Sequence, residues 1–192
     1  EVTVRQSHGG SGRQARSVVD GLQADVVTLA LAFDVDALST TGKLIPKNWQ
    51  TRLANNSAPY TSTMVFLVRK GNPKGIQDFS DLAKPGIRLI HPDPISSGGA
   101  QWSILAIYGS ELKKSENESK EKDTARALQT LRAIWKNVLS TPGSAREART
   151  TFELGNGDAL ITYELEGLLM KEAKSPIEIV TPQATIFSEH PA

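Results

Sequence analysis

The sequence contains no cysteine among its 192 residues. Disulfide bridges and thiolate metal ligands are therefore excluded. A strong net charge is also lacking, since 22 Lys and Arg residues are offset by 21 Asp and Glu residues. Without a net positive field, the chain is not expected to attract nucleic acid or an acidic membrane surface. An anion bound by this protein must accordingly be held by local groups rather than by overall charge.

Long hydrophobic runs are absent as well. No stretch of about 18 apolar residues could cross a membrane, so we predict a protein that is not membrane-inserted. No basic segment followed by an apolar one marks a signal peptide. The chain starts at Glu1 without an initiator methionine, which we interpret as a processed product or a part of something longer.

Histidine is scarce, and His8, His91 and His190 lie far apart in the sequence. A zinc site needs three or four clustered ligands, so the sequence predicts neither a metal site nor another cofactor. The segment Gly10–Gly12 does not form the Gly-x-Ser-x-Gly elbow of a serine hydrolase. The same loop lacks the Lys and the Ser or Thr that follow the last glycine of a phosphate-binding loop. We therefore do not predict an enzyme.

Strand-like, loop and helix-like segments alternate along the chain, which predicts an α/β fold with a largely parallel sheet. The predicted strands are Val2–Val4, Asp25–Ala32, Thr63–Arg69, Ile87–His91, Asp158–Tyr163 and Ile177–Val180. The predicted helices are Arg13–Leu22, Val35–Gly42, Gln77–Ala83, Ala100–Tyr108, Thr124–Leu139, Arg146–Leu154 and Glu164–Ala173. The highly charged segment Leu112–Asp123 shows no apolar periodicity and is predicted to be either an exposed connection or the solvated start of the next helix.

Three loops of small residues stand where a helix is predicted to begin. They comprise residues 7–12, 96–99 and 142–145. At such a position the first backbone N–H groups of the helix lack partners, and the helix dipole favours negative charge. Glycine allows a ligand to approach the backbone closely. The three loops together could enclose one anion, whereas any one of them alone is typical of an ordinary helix cap.

The longer motifs resemble those of bacterial periplasmic sulfate-binding proteins. The residues that carry the resemblance are Gln6–Ala15, Ala24–Ala32, Ser57–Ser62, Phe66–Lys74, Ser96–Ala100 with Trp102, and more loosely Gly157–Ile161 and Glu178–Pro182. These segments are collinear with the family and cover nearly the whole chain. The resemblance implies a two-lobed α/β fold of the periplasmic-binding-protein type, with mixed or mostly parallel sheets flanked by helices.

The resemblance also implies how the chain is divided. Residues 1–62 would form part of a first lobe, residues 63–180 a second lobe, and residues 181–192 a return crossing toward the first lobe. Because the family's chains are considerably longer, the first lobe would be incomplete. The apolar segment Asp25–Ala32 should then be covered either by segments outside this sequence or by another chain.

In the family that these motifs resemble, a dehydrated sulfate sits between the lobes and is held by uncharged donors. The resemblance assigns this role to the Ser11 backbone N–H, the Ser97 hydroxyl, the Gly98, Gly99 and Ala145 backbone N–H groups, and Tyr163. Fully ionised sulfate has no proton, so a site of donors accepts it, whereas protonated phosphate would leave a proton facing donors. The implied function is capture of sulfate in the periplasm, or otherwise outside the cytoplasm, and its delivery to a membrane ABC transporter permease.

Tyr163 stands where the family has a tryptophan whose indole N–H donates. A tyrosine hydroxyl reaches a different point and can also accept a hydrogen bond. Receptors for thiosulfate, molybdate or a metal ion therefore stay open as alternatives, as does an anion-dependent enzyme or regulator outside transport.

Overall fold

A long buried strand organises the part of the chain that the computed structural model describes, residues 3–119 and 123–192. This strand, β1 (Tyr60–Arg69), contains the continuous apolar run 64–68, and every side chain of that run is at most 1% exposed. A strand that is apolar on both faces must be covered on both sides. It lies inside a six-stranded sheet with helices on either face.

The sheet is mixed. Its other strands are β2 (Leu89–Ile90), β3 (Val138–Ser140), β4 (Ala159–Tyr163), β5 (Ile177–Val180) and β6 (Phe187–His190). The strand order is β3-β2-β4-β1-β5, and β6 pairs with the first residues of β1. Strand β2 runs parallel to β3 and β4, whereas β1 is antiparallel to β4, β5 and β6. The predicted α/β class is confirmed.

Four helices cover the two faces of the sheet. They are α4 (Gly98–Ser119), α5 (Thr124–Trp135), α6 (Ala145–Glu153) and α7 (Glu164–Glu172). A 3₁₀ turn, η2 (Phe79–Ala83), packs on the same face of the sheet as α4 and α5. Alternate side chains of a strand point to opposite faces. Accordingly, Met64, Phe66 and Val68 pack toward α4 and α5, whereas Val65 and Leu67 pack toward α6 and α7. The two faces of β1 thus carry two separate cores.

Residues 3–59, which we call the N-terminal segment, pack beside this sheet and contribute no strand to it. Their elements are α1 (Ser11–Val19), α2 (Ala32–Thr40), the 3₁₀ turn η1 (Trp49–Thr51) and the single turn α3 (Ala54–Ser57). A small core of their own contains Ala15, Leu29, Val35, Leu38 and Trp49. The described residues from 60 onward are called the sheet domain. The division into lobes at residues 62 and 180 stays a prediction.

Two predicted strands are wrong. Thr3 and Val4 are not in a strand, and Val2 lies outside the described residues. The segment Asp25–Ala32 has no strand structure, and its last residue begins α2. A strand needs a neighbouring strand to pair its backbone groups, and none of the described strands pairs with this segment. Val26 is accordingly 78% exposed.

Other element boundaries also differ from prediction. Helix α5 ends at Trp135, and Val138 and Leu139, which are predicted to extend it, belong to β3 because this strand pairs with β2. The charged segment predicted to be a connection or the start of the next helix instead continues α4 up to Ser119, and residues 120–122 fall outside the described ranges. The buried Glu111 carboxylate explains part of this difference, since it pairs with Lys114 at 2.7 Å on the same helix. Strand β6 is not predicted, because its polar sequence forms a strand only by pairing with β1.

Arg69 ties the end of β1 to the loop that precedes β4. Its guanidinium donates to the carbonyl oxygens of Phe152, Asn156 and Gly157 at distances of 2.6 to 3.0 Å. It also lies 3.8 Å from the centroid of the Phe152 ring. A planar guanidinium with five donors can satisfy several carbonyls at once. Arg69 therefore closes this end of the sheet.

Replacing Arg69 with alanine should lower the free energy of unfolding by about 2–4 kcal/mol, because several hydrogen bonds to a charged group are lost together. Arg88→Ala is the matched control, since Arg88 is exposed and its ion pair with Asp158 faces solvent. Urea denaturation of both variants measures the difference. Equal destabilisation of the two variants would contradict this role for Arg69.

Candidate anion-binding site

A cleft of about 860 Å³ lies between the N-terminal segment and one end of the sheet domain. Helices α4, α6 and α7 follow β2, β3 and β4, and parallel strands end at the same edge of a sheet. The starts of these helices and of α1 therefore meet at the cleft wall. The residues predicted as ligands all line it: Ser11, Ser97, Gly98, Gly99, Ala145 and Tyr163.

The first wall of the cleft is the start of α1. Gly10 is the N-cap and gives no side-chain cap, so the first N–H groups of the helix have no partner within it. The Ser11 hydroxyl accepts from the Ala30 N–H at 2.8 Å and hydrogen-bonds the Asp34 carboxylate. Burial raises the pKa of Asp34, and this hydrogen bond partly offsets the effect. Ser11 is therefore left with its backbone N–H for an anion, because its hydroxyl is already engaged.

The second wall is the start of α4. The Ser97 N–H donates to the Asp93 carbonyl at 2.8 Å, which fixes the loop ahead of the helix. The Ser97 hydroxyl accepts from the Ala100 N–H at 3.3 Å and keeps its own proton to donate. Gly98 and Gly99 are buried at the first two positions of the helix, where backbone N–H groups lack an intrahelical acceptor. This wall can supply one hydroxyl and two amide donors.

The third wall is the start of α6. The Ser144 side chain caps this helix by accepting from the Glu147 N–H at 3.1 Å, and Glu147 in turn accepts from the Gly143 N–H at 3.0 Å. The Ser96 hydroxyl donates to the Gly143 carbonyl at 2.8 Å, which connects the loop before α4 to the loop before α6. Ala145 is thereby held at the cleft in the first position of the helix, with its N–H available.

Tyr163 is the N-cap of α7 and forms the fourth wall. Its hydroxyl is buried and has no hydrogen-bond partner among the described residues. A Cβ built on Gly99 would lie 3.2 Å from this hydroxyl and 3.3 Å from the Ala145 Cβ, so the three residues adjoin. Burial raises the pKa of Tyr163 far above its usual range, so the hydroxyl keeps its proton. An unpaired buried donor beside helix starts suits an anion.

The two sides of the cleft meet where only glycine fits. A Cβ on Gly98 would lie 2.6 Å from the Ala30 Cβ, and a Cβ on Gly10 would lie 2.3 Å from the Ser96 carbonyl oxygen. Across the same boundary, the Trp102 indole N–H donates to the Ala30 carbonyl at 2.6 Å. The N-terminal segment and the sheet domain are therefore in direct contact beside the cleft.

Sequence reasoning misses the roles of three residues in or beside the cleft. Trp102 lies on an apolar helical face, which predicts core packing, and its ring does pack against the main core. The pattern does not show that its indole also bridges to the N-terminal segment. Tyr60 and His190 line the cleft beside Tyr163. No sequence signal could have found His190, because only the pairing of β6 with β1 brings it there.

The described residues hold no group of three or more His, Cys, Asp or Glu side chains placed to bind a metal ion. The histidines lie in separate surroundings. His91 is fully buried, and its Nε2 is 2.6 Å from the Ser103 hydroxyl, whereas His8 is exposed and contacts Gln6. Within residues 3–119 and 123–192, no helix has the length and apolar character to cross a membrane.

Comparison with protein families gives the class of the protein. Residues 1–192 match the model for bacterial extracellular solute-binding proteins, and the chain belongs to this family. It is 53% identical to sulfate-binding proteins of Salmonella typhimurium and Escherichia coli, over 98% of this chain and 56% of each relative. It is 43% identical to a thiosulfate-binding protein of Pseudomonas aeruginosa, over 99% of this chain and 56% of the relative. The chain thus spans about 56% of the length of these relatives.

Solved structures agree with this assignment. The sulfate-binding protein SubI from Mycobacterium tuberculosis H37Rv superposes with a TM-score of 0.87 at 38% identity, over 96% of this chain and 62% of SubI. The periplasmic binding protein AfuA from Actinobacillus pleuropneumoniae superposes with a TM-score of 0.64 at 22% identity, over 95% of this chain and 62% of AfuA. The second likeness concerns the fold alone. The predicted fold of the periplasmic-binding-protein type and the predicted family resemblance are confirmed.

Gly98→Ala should weaken the binding of an oxyanion in this cleft by about tenfold or more, because the added methyl group would push Ala30 and Ser11 away from α4. Gly109→Ala on the same helix is the matched control, since nothing lies within 4 Å of a Cβ at that position. Calorimetric titration with sodium sulfate measures the affinity, and urea denaturation verifies folding. Unchanged affinity in a folded Gly98→Ala protein would show that the close approach is not needed.

Proposed function

We propose that this protein is an extracytoplasmic receptor that captures sulfate, or a closely related tetrahedral oxyanion, and delivers it to a membrane ABC transporter. The observation that carries the proposal is the convergence of uncharged donors on one cleft. These donors are the N–H groups at the starts of α1, α4 and α6 and the hydroxyls of Ser97 and Tyr163. Membership of the extracellular solute-binding family supports the receptor role and a location outside the cytoplasm.

The cleft combines these donors with three carboxylates, those of Glu147, Glu164 and Glu166. Glu147 accepts from the Gly143 N–H, and Glu166 pairs with Arg149 at 2.7 Å. Donors in such a partly buried site interact strongly with an anion because water screens them poorly. Fully ionised sulfate can accept hydrogen bonds from all of these donors. Hydrogen phosphate carries a proton, which would face a donor instead of an acceptor. The donor set therefore favours sulfate over phosphate.

Thiosulfate is the second candidate ligand. Thiosulfate-binding proteins are among the relatives, but they are less similar to this chain than the sulfate-binding proteins are. The Tyr163 hydroxyl can donate to either ion. The higher similarity favours sulfate as the main ligand.

A hydrolytic function has little support, although two serine and histidine pairs are present. The Ser188 hydroxyl lies 3.0 Å from the His190 Nε2, and the Ser103 hydroxyl lies 2.6 Å from the His91 Nε2. Both serines are fully buried, so neither hydroxyl is accessible to a substrate in the cleft. We therefore propose binding without catalysis.

Calorimetric titration of the purified full-length protein with sulfate, thiosulfate, molybdate, phosphate and ferric citrate tests this proposal. We expect sulfate to bind most tightly and phosphate to bind on the order of a hundredfold more weakly, because a proton facing a buried donor leaves that donor unpaired. Ferric citrate should give no binding heat. Preferred binding of phosphate or iron, or turnover of a sulfate ester by the protein, would overturn the proposal.

Tyr163→Phe separates a role in binding from a role in stability. Loss of the hydroxyl should weaken sulfate binding about tenfold to a hundredfold, as expected for one hydrogen bond to a charged acceptor. The free energy of unfolding should stay the same or rise slightly, because this hydroxyl has no partner among the described residues.

Thr162→Val is the matched control, since the neighbouring Thr162 hydroxyl is also buried and unpaired among the described residues but does not line the cleft. This variant should keep its sulfate affinity in the same calorimetric titration. Equal losses of affinity in Tyr163→Phe and Thr162→Val would contradict a direct role for Tyr163.

A further inference from the structure

His190 occupies the cleft wall beside Tyr163 and is not one of the donors described above. Its ring stacks on Tyr60, with centroids 4.8 Å apart and planes at 13°. It meets the Tyr163 ring edge-on, with centroids 5.0 Å apart and planes at 68°. The residue is only 7% exposed, yet it lines the cleft. The Tyr163 side chain thus separates the His190 imidazole from the start of α4.

Hydrogen bonding at Ser188 sets the tautomer of His190. The Ser188 hydroxyl oxygen lies 3.1 Å from the Ser62 carbonyl oxygen and 3.0 Å from the His190 Nε2. A carbonyl oxygen can only accept, so the single hydroxyl proton points to Ser62, and the hydroxyl accepts from the Nε2–H. Nδ1 is then the unprotonated nitrogen, and it has no hydrogen-bond partner in the described part of the chain. A second proton would bind there.

The two aromatic side chains that contact His190 do not change their charge near neutral pH. Burial raises the pKa of both contacting phenols, Tyr60 and Tyr163, so neither is charged near neutral pH. Burial lowers the pKa of His190, so its ring is also uncharged near neutral pH. Arg146 stays charged throughout. The other ionisable side chains that line the cleft are His8, Glu147, Glu164 and Glu166.

We propose that His190 couples anion binding to the uptake of a proton at Nδ1. A dianion in the cleft favours the protonated ring, because opposite charges attract strongly where little water screens them. By thermodynamic linkage, a proton on the ring favours the bound anion to the same extent. His190 thus adds a switchable positive charge to a site whose other donors are neutral. This inference rests on the proposed anion-binding function.

The protonation of His190 with and without a bound anion determines the direction of the pH dependence. At pH 8 the ring is neutral with or without an anion. As the pH falls toward 5.5, the anion-bound protein takes up the proton before the free protein does, because burial without an anion disfavours the charged ring. Sulfate affinity should therefore rise by about three- to tenfold over this range, while sulfate itself stays fully ionised.

Calorimetric titrations with sodium sulfate from pH 8 to pH 5.5, in buffers of different ionisation heat, measure both the affinity and the protons taken up. His190→Gln should lose the pH dependence and the proton uptake. His8→Gln is the matched control, because His8 also lines the cleft but is exposed and contacts neither Tyr60 nor Tyr163; it should retain both effects. In NMR spectra, titration of the His190 ring should move to higher pH when sulfate is added.

The outcomes separate this inference from the proposed function. Absence of sulfate binding at every pH would overturn both. Binding with equal affinity at pH 8 and pH 5.5 would overturn the role of His190 alone. A pH dependence that persists in His190→Gln, or that disappears in His8→Gln, would also overturn it.

Discussion

Backbone N–H groups at the start of a helix have no acceptor within that helix, and this constraint governs the cleft. Helices α1, α4 and α6 all begin there. Water can satisfy these groups when the cleft is open, but an anion does so with the added attraction of the helix dipoles. The Tyr163 hydroxyl is also unpaired among the described residues, so it is a further donor in the cleft that needs an acceptor. Under the proposed function, a dianion without protons would accept hydrogen bonds from all of these groups.

The sheet places these helix starts together. Strands β2, β3 and β4 run in one direction, and each leads into a helix that begins at the same edge. The N-terminal segment then closes the cleft from the other side, where Gly10 and Gly98 allow backbone contact. Ala30 fixes this contact, since its N–H donates to Ser11 and its carbonyl accepts from Trp102. The site is therefore built by two parts of the chain with separate cores.

The outcome for individual elements shows where sequence reasoning succeeds. The run 64–68 is apolar without interruption, and it forms the buried strand that this pattern predicts. The run at Asp25–Ala32 is also largely apolar but forms no strand, because no described strand pairs with its backbone. Conversely, Phe187–His190 is polar and is a strand only because β1 supplies the partner. Composition is local, whereas strand pairing depends on distant segments.

The sequence by itself determined the α/β class, the family resemblance and the three small-residue loops at helix starts. Those features depend on local residue chemistry, such as the freedom of glycine and the exposed N–H groups of a first helical turn. Only the tertiary structure decided that the loops share one cleft, that Tyr163 lies against Gly99, and that His190 stands beside them. Distances between residues far apart in the chain are set by sheet order and packing, which no local pattern records.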